Sequence, residues 1–239
     1  NAIWLEDLIK LCNERNIKVL EDASESVGTF YTEGKYTKKH TGTLGSIGCL
    51  SFNANKIMTT GGGGMIITDD DYIAEKAHYL VNQAKDDALR YIHNEVGYNY
   101  RLTNLHAAIG VSQISRLQDF LKRKKIIYKK YVEELNKIDG LEIALVPKYS
   151  NNNHWLTILQ ISKKYPLTTE ELIENLNNKG IQVRPVWYLN HLQKHLKHYE
   201  SYRIEKASKL VNMSICLPSS SNLNENDLSF VIDTIKNMA

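Results

Sequence analysis

Short apolar runs alternate with stretches of helical spacing along this chain, and that alternation leaves few folds open. Residues 17–20 form an apolar run ending in Glu21-Asp22, residues 47–52 form a second, and Met65-Ile66-Ile67 a third, fed by four glycines at 61–64. Continuous apolar runs of this length fit strands covered on both faces, as in a parallel sheet. Between them, apolar residues recur three to four apart. Ala2-Ile3-Trp4-Leu5, Leu8-Ile9 and Leu11-Cys12 predict an amphipathic helix, and further helices are predicted at about 70–84 and from Thr103 to about 138. The last is too long for one ordinary globular helix, so a break or bend is expected within it. This order predicts an α/β first domain over residues 1–139.

A second, smaller α+β domain is expected over residues 140–239. Strands are predicted at 141–145, 155–161 and 181–186, with a short one at Ile215-Cys216-Leu217. One helix is opened by Thr168-Thr169-Glu170-Glu171 and stopped by Gly180. Further helical segments and a final helix from Asn224 complete the domain. The chain has 239 residues, enough for one large domain and a smaller appendage. No internal repeat or low-complexity segment is visible, and Asn151-Asn152-Asn153 reads as a short polar loop.

Charge and cysteine usage exclude several classes. A net charge of +3 is too small for nucleic-acid binding without a concentrated basic stripe. The one dense run, Lys122-Arg123-Lys124-Lys125 with Lys129 and Lys130, lies in a helical pattern and reads as a solvated helix face. No CxxC pair joins Cys12, Cys49 and Cys216, so they read as small buried residues in a reducing compartment. No apolar run approaches the ~20 residues a membrane span needs, and no secretory leader pattern is present. A cytoplasmic protein without a resident metal is expected. The chain starts at Asn1 and enters a helical pattern at once, as if it were the later part of a longer protein.

Four clusters could carry chemistry. Asp22 ends an apolar strand, where it either caps the next turn or faces a cationic group of a ligand. Lys56 follows the second strand in Ser51-Phe52-Asn53-Ala54-Asn55-Lys56; it is either a surface charge or an amine held for covalent chemistry. The hydroxyl of Ser51, beside the glycines at 61–64, suits a phosphate, although those glycines match neither the dinucleotide fingerprint nor the P-loop. Gly97-Tyr98-Asn99-Tyr100-Arg101-Leu102-Thr103-Asn104 precedes a long helix with Thr103 as its N-cap; it either reaches a phosphate or packs two tyrosines in a loop.

Taken together, Glu21-Asp22-Ala23-Ser24-Glu25-Ser26-Val27-Gly28, the 51–56 block with its glycine run, and the 97–104 block resemble the DegT/StrS family. Those proteins are sugar aminotransferases of the fold-type I pyridoxal-phosphate class. The resemblance extends over essentially the whole chain. It implies the later part of a large cofactor-binding domain, with a mixed, mostly parallel sheet and helices, followed by a small α+β domain. By that resemblance Lys56 would carry pyridoxal 5'-phosphate as a Schiff base and shuttle protons. Asp22 would pair with the pyridine nitrogen, and Ser51 would bind the phosphate. Glu25 stands at a position, usually Gln or His, beside the cofactor ring. Asn99 would reach the phosphate of a neighbouring subunit, which implies a homodimer with shared sites.

The substrates implied are a keto sugar nucleotide and an amino donor, typically glutamate. Residues 184–193 are similar to the segment near the sugar nucleotide, with Arg184 and His191 as candidate substrate contacts. The resemblance there is to enzymes that aminate C4 of a UDP-linked 4-keto-6-deoxy-N-acetylhexosamine. Leu189 departs from the proline common there, and His191 reads equally as a surface histidine on a loop. Gly62 stands where relatives often have Glu. Family members also carry over a hundred residues before the position of Asn1, including a helix N-terminus for the phosphate and the aromatic that stacks on the ring. This chain alone is therefore expected to lack half of its cofactor site. Alternatives are a sugar dehydratase of the same family, which Lys56 opposes because those relatives have histidine there, a non-catalytic remnant, or a nucleotide-sugar-binding module without the cofactor.

Overall fold

The computed structural model describes residues 2–239; Asn1, where the expected first domain begins, lies outside them. In chain order the first elements are α1 (Glu6–Glu14), β1 (Leu20–Asp22), β2 (Phe30–Tyr31), β3 (Ile47–Ser51) and β4 (Gly64–Ile67). Then come α2 (Asp71–Val81), β5 (Lys85–Asp87), β6 (Ile92–His93), α3 (Asn104–Ile114) and α4 (Leu117–Leu135). The chain continues with β7 (Leu141–Ile143), β8 (Ser150–Asn151), β9 (Thr157–Ile161), α5 (Thr169–Asn178) and β10 (Arg184–Pro185). After a 3-10 turn at Asn190–Leu192 it ends with α6 (Glu205–Asn212), β11 (Ser214–Leu217) and α7 (Glu225–Lys236).

Two compact units are present. The first takes the chain up to Leu121 together with Val146–Trp155; the second takes Lys122–Leu145 and Leu156–Ala239. This division differs from a cut at 139/140 for two physical reasons. Beyond Leu121 the face of α4 that carries Lys124, Ile127, Tyr131 and Leu135 is buried in the second unit's core. Residues 146–155 return to the first unit, where β8 pairs with β2 through Phe30↔Asn151 and Tyr31↔Ser150.

The first unit's main sheet has the order β1-β3-β4. β1 and β3 are parallel, with Asp22 opposite Cys49; β3 and β4 are antiparallel, with Ser51 opposite Gly64. The sheet is mixed but not mostly parallel, because residues 52–63 return the chain to the same edge without a crossover helix. The expected strand at 17–20 is displaced to Leu20–Asp22. Ile17 still closes α1, its N–H donating to the Cys12 carbonyl at 2.8 Å with Asn16 at φ 55°, and both Ile17 and Leu20 are exposed. The first helix starts at Glu6 instead of Ala2; its N-cap Leu5 and its Ile9 are buried with Tyr31 in a small core, and Ala2 packs against it. The long helical pattern is broken as expected, between α3 and α4 at Ser115-Arg116.

The second unit is an antiparallel sheet, β10-β11-β9-β7, packed with α4, α5 and α7. Leu159, Leu172, Ile215 and Leu228 are among its fully buried side chains. A capping box opens α5: the Thr168 hydroxyl accepts from Glu171 N–H, and the Glu171 carboxylate accepts from Thr168 N–H. Gly180 takes φ 77° just beyond α5, a conformation that suits a residue without Cβ. The strand expected at 181–186 contracts to Arg184–Pro185, because the Asn177 amide bonds both the N–H and the carbonyl of Val183. Lys124 is not on a solvated face: it is 6% exposed, and its ammonium donates to the Ser219 carbonyl at 2.5 Å. Burial pushes this lysine down to about 8.

Candidate active site

Parallel pairing of β1 with β3 brings Asp22 and Ser51 to the same end of the first unit's sheet, and the antiparallel return sets Gly64 beside Ser51. The period-2 alternation of a strand points Glu21 to the opposite side from Asp22. The buried Glu21 carboxylate accepts three backbone N–H bonds, from Gly42 at 2.7 Å, Leu44 at 2.6 Å and Gly45 at 2.7 Å. Bonds of this kind, with one partner charged, are strong. They tie the 42–45 loop to β1 and so fix the strand end that carries Asp22. Gly48 permits the same approach, since a Cβ there would lie 1.8 Å from the Gly42 carbonyl oxygen.

Asp22 caps the next turn, one of the two roles open from sequence. Its Oδ1 accepts from the Ser24 N–H at 3.2 Å and from the Ser24 hydroxyl, while Oδ2 has no hydrogen-bond partner among the described residues. The Ser24 hydroxyl also lies 3.4 Å from Glu25 Oε2. Glu25 Oε1 in turn accepts from Lys56 Nζ. A polar chain thus runs from Asp22 through Ser24 and Glu25 to Lys56. The Lys56 side chain is 12% exposed and Glu25's is 47% exposed. Lys56 Nζ also lies 4.4 Å from the centroid of the Trp155 ring, within the range of a cation–π contact.

Ser51 turns its hydroxyl toward the start of the lysine loop, accepting from Asn53 N–H at 3.3 Å. Asn99 forms an isolated backbone bridge with Asn82, and its sequence neighbours Tyr98 and Tyr100 stack on each other. No hydrogen bond or ion pair among the described residues joins Asn99 to Asp22, Glu25, Ser51 or Lys56. Thr103 caps α3, accepting from His106 N–H. Arg184 and His191 belong to the second unit. Arg184 lies opposite Cys216, whose thiol burial pushes upward and the guanidinium draws back, and the half-buried His191 sits in the 3-10 turn.

Two residues at the site carry no local sequence signal. Asn153 reads as part of a polar loop and Trp155 as the start of a strand; both come back from the far side of α4. The Asn153 amide donates to the carbonyls of Glu25 at 2.7 Å and Val27 at 3.0 Å. The Trp155 indole N–H donates to the Asn55 carbonyl at 2.7 Å. Nearby, His40 Nε2 accepts from Gly28 N–H at 2.8 Å, and burial lowers this histidine below its ordinary range. Among the described residues no group of three or more His, Cys, Asp or Glu could hold a metal ion, and no helix is long and apolar enough to cross a membrane.

Sequence comparison defines the class to which the chain belongs. Residues 1–236 match the DegT/DnrJ/EryC1/StrS aminotransferase family, and the chain belongs to it. Among its relatives, the putative pyridoxal phosphate-dependent aminotransferase EpsN of Bacillus subtilis (strain 168) is 35% identical over 237 residues, 97% of this chain and 59% of EpsN. GDP-perosamine synthase of Vibrio cholerae is 35% identical over 243 residues, 99% of this chain and 63% of the relative. In three dimensions the chain is similar to the aminotransferase TlmJ of Streptoalloteichus hindustanus, with TM-score 0.85, 25% identity, and 98% and 62% of the two chains covered. The chain thus spans about three-fifths of the length of the curated relatives it matches.

Proposed function

We propose that this chain is the lysine-bearing part of a pyridoxal-phosphate-dependent aminotransferase that moves an amino group, with glutamate as donor, onto a keto sugar nucleotide. The observation that carries this reading is the Lys56 amine, largely withdrawn from solvent at the sheet end that also presents Asp22 and Ser51. The donor set suits the cofactor: an amine for its aldehyde, a carboxylate with one unengaged oxygen for its ring nitrogen, and a hydroxyl for its phosphate. When bound, pyridoxal phosphate supplies the aldehyde to which amines attach and the ring that takes up electron density.

The chain's own residues would act as follows. Lys56 Nζ anchors the cofactor and, once released, carries a proton to and from the substrate carbon. Asp22 Oδ2 holds a proton on the ring nitrogen, Glu25 lies beside the ring, and Ser51 Oγ donates to the phosphate. Asn99 reaches the phosphate of a second copy, which makes the enzyme a homodimer; its place of action is the cytoplasm. Arg184 and His191 contact the sugar nucleotide. In sequence terms, residues 1–139 are then assigned to the large cofactor-binding domain and 140–239 to the small one, with 122–139 packing in the second compact unit and 146–155 in the first.

Residues 184–193 favour a UDP-linked 4-keto-6-deoxy-N-acetylhexosamine, whereas the relatives named GDP-perosamine synthase, at 32–35% identity, make a GDP-linked sugar the second substrate to assay. The fold also resembles a GDP-4-keto-6-deoxymannose-3-dehydratase, with TM-score 0.82, but the Lys56 amine favours amino transfer over dehydration. The test is an absorbance spectrum with added pyridoxal phosphate, before and after borohydride, beside Lys56→Ala. A yellow band that borohydride fixes onto Lys56, absent from the variant, is expected. A colourless result that persists when the preceding part of the protein is supplied refutes the assignment.

A further inference from the structure

We infer that Glu25, Asn153 and Trp155 form a seat that positions the Lys56 amine, and that release from this seat governs when the amine can react. The functional meaning of the seat rests on the reading of Lys56 as the cofactor-bearing residue.

The contacts close a ring through three segments far apart in sequence. Lys56 Nζ donates to Glu25 and faces the Trp155 indole. Asn153, 5% exposed, uses both ends of its amide: Nδ2 holds the Glu25 carbonyl, and Oδ1 accepts from the Trp155 N–H at 3.0 Å. The Trp155 indole N–H then returns to the carbonyl of Asn55, the residue before Lys56. Asn153 is itself anchored, its N–H donating to the buried Thr29 hydroxyl at 3.2 Å. A surface ion pair between two free side chains contributes little. Here the backbones carrying the carboxylate, the ring and the lysine are bonded to one another, so less rotamer freedom is lost in forming the pair.

The consequence is chemical. An ammonium ion held by a carboxylate and an aromatic face has no lone pair to offer an electrophile. Only an amine that has left Glu25 and given up a proton can attack. Glu25, Asn153 and Trp155 are therefore positioning residues: they set where the Lys56 nitrogen rests and how readily it leaves.

The test measures amine reactivity, with no cofactor required. The full protein is labelled with trace acetic anhydride at neutral pH, and acetylation of each lysine is followed by peptide mass spectrometry. In Glu25→Gln we expect Lys56 to be acetylated about five-fold faster than in wild type, the scale of a partly screened ion pair. In Glu25→Asp the rate should return toward wild type, and in Asn153→Ala it should rise in the same direction as for Gln. The exposed Lys10 and Lys179 should keep their wild-type rates in every variant. A wild-type rate at Lys56 in Glu25→Gln overturns the seat, and so does an equal rise at Lys10 and Lys179, which would mean general loosening. Failure of Lys56 to capture pyridoxal phosphate, beside the expected acetylation pattern, counts against the proposed function and leaves the seat standing.

Discussion

Replacing Lys124 by methionine should change the pH dependence of stability, not only its level. Lys124 is buried in the second unit, and burial lowers it from 10.5 to about 8. At 1.36 kcal/mol per pKa unit, that is roughly 3 kcal/mol against holding the charge in the folded protein. The sign follows from proton binding. Between pH 8 and 10.5 the unfolded chain keeps the Lys124 proton while the folded chain has released it, so stability rises with pH. Below pH 8 both states are protonated and the dependence vanishes. Wild type should therefore gain about 2.5 kcal/mol relative to Lys124→Met between pH 7 and pH 10. Taking the difference cancels the tyrosines and other lysines that titrate in the same range. Urea unfolding of both proteins at several pH values measures it. Parallel stability curves for the two would show that Lys124 keeps an ordinary affinity for its proton in the folded state, and the burial argument would fail.

Other expectations follow from single contacts. Glu21→Ala strands three backbone N–H groups and should destabilise the protein by about 4 kcal/mol in urea unfolding, with Glu21→Gln intermediate. Gly48→Ala drives a Cβ into the Gly42 carbonyl and should lower stability by about 3 kcal/mol, read as an earlier thermal transition. Thr168→Ala removes the cap of α5 and should have a milder effect of about 1 kcal/mol, with helix content by circular dichroism nearly unchanged.

Features set by neighbours in sequence were legible from the sequence. Thr103, Thr168 and Asn224 cap α3, α5 and α7 as their positions suggest, because each cap bond spans only three residues. The apolar run 215–217 lies within β11 because all four residues of that strand are buried. The run at 17–20 misled because Ile17 finishes a helix turn. Lys124 misled because a basic run shows nothing of which of its members faces a core. At the candidate site, Asp22, Ser51 and Lys56 were singled out as candidates by strand ends and by resemblance. Trp155 and Asn153 were not, since the hydrogen bond from Asn153 to Glu25 joins residues 128 apart and no local periodicity records such a return.

That return bears on the order in which the protein folds. To complete the surroundings of Lys56, the chain must leave the first unit along α4, form β7, and come back at 146–155 before departing again. The indole contact to Asn55 closes a loop of about a hundred residues, and loop-closure entropy makes such contacts slow to form. The capped helices and the local turn around Lys56 can form early. The amine acquires its ring and its braced carboxylate only when the distant segment arrives. A chain emerging from the ribosome would therefore carry an unshielded Lys56 until synthesis had passed Trp155, so the reactive environment of this lysine is among the last parts of the first unit to be assembled.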